Sequence, residues 1–308
     1  MQISNGVKKG YFLVFLTALI SGFAIFINKF GVSVVNPNIY TFLRVLTVAI
    51  FLTGLVLFLK DWRTLKNLTG KQWLLLITIG LVGGSIPFLL FFRGLSLTNA
   101  TQGSFIHKTM FIWVAVLAAL FLKEKIDKKF LLGGLFLLLG SLILLKKLPY
   151  SLNQGDLLVF LATLLWATEN TISKYVLRDL EGRIVAWARM FFGALFILIF
   201  LLVTNQLPLI FGLTLRQINW VLITAIVLFV YVITWYSGLK FIPVSQATVI
   251  LLLGSPITTL LSFIQTRQVN LQEIFAGLFI ILGILLVFGL KEVRHLFKEF
   301  KKLIYVWT

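Results

Sequence analysis

Glu169 and Lys108 are the residues of this sequence best placed to do chemistry. Of its ten Asp and Glu residues, nine fall in loops or at the ends of apolar runs, and Glu169 alone lies in the middle of one, 155–176. A charge at the centre of a bilayer costs roughly 2.5–3.5 kcal/mol on insertion scales, so it faces a cavity or a partner. Lys108 stands at comparable depth in the run 98–122 and is the candidate partner. Helical spacing puts Thr101, Ser104 and Lys108 on one face, and Trp166, Glu169 and Ser173 on one face of the other run. Two such polar stripes suit a solute with both signs of charge: Lys108 attracts a carboxylate, and Glu169 exchanges with an ammonium or a proton. The alternative is a purely structural ion pair.

His107 points about 100° away from Lys108 around an ideal helix and suits a buried structural role or a proton role equally. Tyr231 and Trp235, spaced i, i+4, could wall a solute pocket, although an interfacial aromatic belt explains Trp235 and Tyr236 almost as well. Arg44 and Arg189 read as gate or scaffold, through snorkelling to headgroups or helix packing. Gly80, Gly83, Gly84 and Pro87 permit a bend or a close helix contact. Gly133 and Gly140 form a small-residue packing face.

Other chemistries lack their residues. There is no cysteine, and His107 with Glu169 supplies too few ligands for a metal, His295 being in the tail. No paired Asp within a span, no His-Glu-x-x-His and no phosphate-binding GxxxxGK[ST] occurs, so neither an intramembrane protease nor an ATP-driven pump fits, and no cofactor is expected. The chain has 308 residues, 59% hydrophobic and 12% charged. An ordinary soluble domain is about 25% charged, so a soluble enzyme is excluded.

The elements that must hold these residues are membrane helices. Apolar runs of spanning length predict ten, at 10–30, 38–59, 73–92, 98–122, 128–145, 155–176, 184–203, 218–239, 243–266 and 271–290. The first, behind Lys8 and Lys9, has a signal-peptide look but lacks a small-residue cleavage site, and counts as helix 1. With the N-terminus cytoplasmic, inside segments carry 19 Lys and Arg against 6 outside, so both termini are expected in the cytoplasm of a cell-membrane protein. The net charge of +18 is then mostly topology, and the tail 291–308 is expected on anionic headgroups, with nucleic acid no partner.

The halves repeat. Lys29 aligns with Lys174 and Arg44 with Arg189 at a shift of 145; Gly94 aligns with Gly238, Gln102 with Gln246 and Gly133 with Gly277 at a shift of 144. The division is 1–150, 151–290 and the tail. Five helices per half force the second to enter from the opposite face, giving inverted repeats that support alternating access around a midplane site.

These residues resemble the drug/metabolite transporter superfamily, EamA type. Trp166, Ala167 and Lys174 resemble its Trp-Ala pair followed by a basic residue, and Lys29 is kept in helix 1, with Ser21 and Gly22 where the family often has Trp-Gly. Gly94 to Lys125 resembles its fourth helix, with Glu124 closing the turn and Lys123 in place of Gly; Pro256 is kept in the second half, with Ser255 and Gln268 in place of Glu and Ile112 in place of the first-half proline. The resemblance implies ten helices in two five-helix repeats and a cavity lined by helices 3, 4, 8 and 9 with parts of 1 and 6. It makes Arg44 a scaffold or gate, with Pro87 and Pro256 beside it in that role. It also implies a secondary exporter of small metabolites such as amino acids or related anions, with protons as a candidate coupling partner. A hydrophobic-cation exporter or a lipid-linked substrate flippase is the alternative on the same fold.

The cysteine-free background makes the topology directly measurable. Single cysteines introduced between residues 60 and 71 and in the tail should react with an impermeant maleimide only after the membrane is opened. Labelling of the tail in intact cells would overturn the inverted repeat.

Overall fold

The computed structural model describes residues 4–98, 100–143, 153–254 and 275–287, with the single positions 257, 261 and 272. Among the described residues every regular element is helical. In order they are α1 (Asn5–Val34), α2 (Pro37–Phe58), the short α3 (Trp62–Lys66) and α4 (Gly70–Ile79). A π-helical stretch, Gly80–Ser85, leads into α5 (Ile86–Leu97). Next come α6 (Ala100–Lys108), α7 (Met110–Leu117) with a π-helical end at Ala118–Leu122, and α8 (Lys128–Ile143). The second half holds α9 (Gln154–Val176), α10 (Gly182–Val203), a 3₁₀ turn at Leu207–Ile210, α11 (Leu215–Leu239), α12 (Val244–Leu251) and α13 (Phe275–Val287).

Among the described residues six stretches are long and apolar enough to cross a bilayer: Asn5–Val34, Pro37–Phe58, Gly70–Leu97, Phe105–Leu122, Gly182–Val203 and Leu215–Leu239. The starts are set by capping chemistry. Asn36 accepts from the backbone of Asn38 and Ile39 ahead of α2, while Thr69 with Gln72, Asn153 with Asp156 and Thr214 with Gln217 form capping boxes. Large apolar side chains such as Ile50, Leu120, Phe121 and Ile199 point outward, more than half exposed. Water would not tolerate such a surface, and hydrocarbon does.

Two expectations need correction. The run 98–122 is not one smooth helix, because Thr109 separates α6 from α7, and the face read from continuous 3.6-residue periodicity ends there. The run 243–266 gives α12 only as far as Leu251, followed by a turn at 252–253. Pro256, assigned there to a gate or scaffold, lies outside the described residues.

Lys123 adopts a left-handed φ of 55°, which explains why a glycine suits that position. The turn delivers Glu124 to the start of α12, where its carboxylate accepts from Val244 N (2.9 Å), Ser245 N (3.2 Å) and Ser245 Oγ (2.8 Å). An anion at a helix N-terminus is favoured by the exposed N–H groups and the macrodipole.

The halves cross over one another. α1 packs on α11, α5 on α9, and α2 on α10. At the shifts of 145 and 144, α1 corresponds to α9 and α5 to α11, so the first two contacts are the same contact made twice. Glycines sit at both crossings. A Cβ on Gly10 would lie 3.1 Å from the Gly238 carbonyl, and one on Gly94 would lie 2.8 Å from that of Gly155. Side chains repeat the pattern: Tyr11 donates to Gln246, and Gln102 Nε2 donates to Asp156 Oδ2 at 2.5 Å.

Without side chains between them, backbones approach closely enough for dispersion to replace the hydrophobic driving force that lipid removes. Gly94→Val and Gly155→Val should therefore each lose roughly 1–3 kcal/mol through overpacking. Gly54→Val, whose Cβ meets nothing within 4 Å, should be near neutral. Melting curves of the solubilised variants provide the comparison, and equal losses at all three sites would contradict the close crossings.

Candidate functional site

α9 carries the polar centre. Its hydroxyls at Thr163 and Thr171 bond back to the carbonyls of Val159 (2.7 Å) and Ala167 (3.0 Å), so they are buried without needing a neighbour. Glu169 is fully buried. Its Oε1 accepts from Ser173 Oγ at 2.5 Å, one helical turn on, and from Tyr236 Oη of α11 at 2.6 Å, whereas Oε2 has no hydrogen-bond partner.

Beside it runs the π-helical stretch of the third spanning segment. The Gly83 carbonyl accepts from Trp166 Nε1 (3.0 Å) and from Arg189 Nη2 (3.1 Å). A Cβ on Gly83 would collide with Glu169 Cγ and come within 3.2 Å of Arg189 Nε, so glycine is what lets acid and base approach the strand of backbone between them. Gly84 lies against the Arg189 carbonyl and Gly193, and Pro87 is buried at the start of α5. The Arg189 guanidinium stacks over Phe88 (5.4 Å) and Tyr236 (5.8 Å), and its Nε is unpartnered. The two ion pairs among the described residues, Arg183 with Asp61 and Lys240 with Glu181, lie elsewhere.

Lys108 is buried but does not pair with Glu169. Its Nζ donates to the Leu251 carbonyl at 3.1 Å and lies 3.3 Å from where a Gly254 Cβ would stand. Leu251 ends α12, and last-turn carbonyls have no partners within their helix, so a cation there is favoured. Lys108 closes α6 and is directed to α12. His107 instead faces α9, with its ring 5.0 Å from Trp166 and 5.4 Å from Phe91, and its Nδ1 is unpartnered. Thr101 and Ser104 belong to α6, and their side chains lie outside the described residues.

Trp235 and Tyr236 are buried rather than arranged in an interfacial belt, Trp235 donating to Asn170 Oδ1 at 2.9 Å. Tyr231 is half-buried, one turn before Trp235 on α11. Arg44 does not reach headgroups either. It is 3% exposed, between Tyr40 (5.0 Å) and Phe92 (5.2 Å), with Nε unpartnered. Ring contacts return about 0.5–2 kcal/mol, less than the several kcal/mol that desolvating a charge takes.

Ser173 was readable from its spacing to Glu169. Gly83 was readable as a point of close helix contact, but its meeting with Glu169 and Arg189 was not, nor were Phe88 and Tyr236 beside them, since these partners arrive from distant segments. Among the described residues no three His, Asp or Glu side chains gather as a metal site would require.

The sequence matches the EamA-like transporter family twice, over residues 8–146 and 153–289. It is 23% identical over 286 residues to the uncharacterized transporter YyaM of Bacillus subtilis, covering 88% of this chain and 92% of that one. An uncharacterized transporter of Clostridium kluyveri is 25% identical over 293 residues, 90% and 92% of the two chains. A crystal structure at 16% identity shares the fold with a TM-score of 0.70, over 95% of this chain and 99% of the other.

Tyr236→Phe removes one donor from a buried carboxylate and should cost about 1–3 kcal/mol of stability. In a Glu169→Leu background the same change should cost far less. Melting temperatures of the four proteins give the coupling; equal losses in both backgrounds would mean that the hydroxyl does not serve the carboxylate.

Proposed function

We propose a function from one premise: the chain belongs to the EamA-like transporter family and is a multi-pass membrane protein. It is a secondary transporter that exports small zwitterionic or anionic metabolites, amino acids among them, across the cell membrane by alternating access. Its ten helices form two inverted five-helix repeats with both termini cytoplasmic, divided at 1–150 and 151–290, with the basic tail on the inner leaflet. Helices 3, 4, 8 and 9 with parts of 1 and 6 line the path.

The observation that carries this reading is the pair of unsatisfied atoms flanking Gly83, Glu169 Oε2 and Arg189 Nε. Buried polar atoms are almost always paired. Here an acid and a base are brought to one glycine without closing an ion pair, so an ammonium and a carboxylate of one solute can each find a partner. Trp166, Tyr231 and Trp235 supply apolar wall, Lys108 adds positive charge from the α12 side, and Thr101 and Ser104 are assigned to solute binding from their spacing to Lys108 in the sequence. Glu169 is also the group that trades solute ammonium for a proton, with His107 the second proton-handling group. Arg44, Pro87 and Pro256 complete the framework.

The test is flux in proteoliposomes, using amino acids, organic acids and cationic dyes with and without a proton gradient. Glu169→Gln should abolish the pH dependence while sparing exchange. Lys108→Ala should weaken anionic solutes by roughly tenfold, the worth of one charge-assisted hydrogen bond, and cationic dyes little. Unchanged pH dependence in the first variant, with normal expression, rejects the proton role. Flux of cationic dyes alone replaces the reading with a hydrophobic-cation exporter.

A further inference from the structure

Arg44 is the buried charge that the reading above leaves without a task beyond the framework. It is 3% exposed and its Nε is unpartnered, and the two ion pairs of the described residues do not involve it. Its surroundings hold rings and neutral polar groups. Tyr40 and Phe92 flank the guanidinium, and the Tyr40 hydroxyl lies within hydrogen-bonding distance of Asn28 Oδ1 (2.7 Å) and Thr224 Oγ1 (3.0 Å). Ring faces offset only part of the cost of burying a guanidinium, and they leave its fork of donors unanswered.

The arrangement around Arg189 is matched. Arg44 and Arg189 are equivalent at the repeat shift of 145, each has an orphan Nε, and each stacks on a phenylalanine of α5. Those rings, Phe92 and Phe88, are one helical turn apart and stacked on each other with centroids 6.2 Å apart. Two cations are therefore mounted on successive rings of one helix. Glu169 answers only the second of them, because it sits at Gly83 on the Arg189 side.

We infer that Arg44 is an anion-binding residue of the transport path, forming with Arg189 a two-guanidinium track along Phe88 and Phe92 for the carboxylate or phosphate group of the solute. This deepens the proposed function and rests on it: the solute carries at least one anionic group, and one with two anionic groups engages both arginines. A planar fork suits such oxygens better than a point charge would.

The experiment uses the full chain in lipid nanodiscs. Melting temperature is followed while succinate, inorganic phosphate or tetraphenylphosphonium is titrated into wild type, Arg44→Gln and Arg44→Lys. Succinate or phosphate should stabilise the wild type, Arg44→Gln should need at least about tenfold more of the same anion, and Arg44→Lys should fall between. Equal midpoints in the three proteins would be a bulk salt effect and would overturn the assignment, as would a wild type that answers neither anion. Should Arg44→Gln fail to fold, the Arg44→Lys midpoint decides, and equality with wild type overturns the inference. Either result leaves the zwitterion reading to its own pH test. Stabilisation by tetraphenylphosphonium with no response to the anions would overturn both.

Discussion

A charge within a bilayer must be answered by the protein, since lipid offers it nothing. Most of the interior can be understood as the arrangement that meets this demand for Glu169 and Arg189. Their common neighbour is Gly83, in a stretch where the helix opens to π geometry and the backbone carbonyl accepts from both Trp166 and Arg189. A side chain there would drive the acid and the base away from the segment. The adjoining glycines have the same logic, for Gly84 rests against Gly193 and the Arg189 carbonyl, which fixes where the guanidinium starts.

That answer is incomplete by design of the site. One oxygen of the carboxylate is held by Ser173 and Tyr236 and the other is free; one nitrogen of the guanidinium is held by Gly83 and another is free. A structural ion pair would have used both. A half-satisfied pair in a low-dielectric interior is expensive to keep and sensitive to any ligand that completes it.

Around this centre the two halves are woven rather than stacked. Each half lends a helix to the other through glycine crossings, and the Gln102–Asp156 and Tyr11–Gln246 contacts accompany them. Glu124 tethers the start of α12 to the π-helical end of α7, so the broken segment that accepts Lys108 is itself fixed at one end.

The sequence by itself determined the solvent and the centre. Long apolar runs admit only membrane helices, and a lone mid-span carboxylate marks α9, whose Ser173 follows from helical spacing. The repeat shift also named the equivalent pairs Gly94 with Gly238, Gln102 with Gln246 and Arg44 with Arg189. Tertiary structure alone decided the partners. Lys108 was paired with Glu169 on depth, but its ammonium meets the Leu251 carbonyl of α12, and Arg189 stands beside the acid instead. What tells Tyr236 from a belt residue is its hydroxyl reaching from α11 to Glu169 on α9. Periodicity fixes which face of a helix a residue occupies, and depth along the helix follows from counting. Which helix that face meets depends on packing between segments many residues apart, and a local pattern carries no record of it.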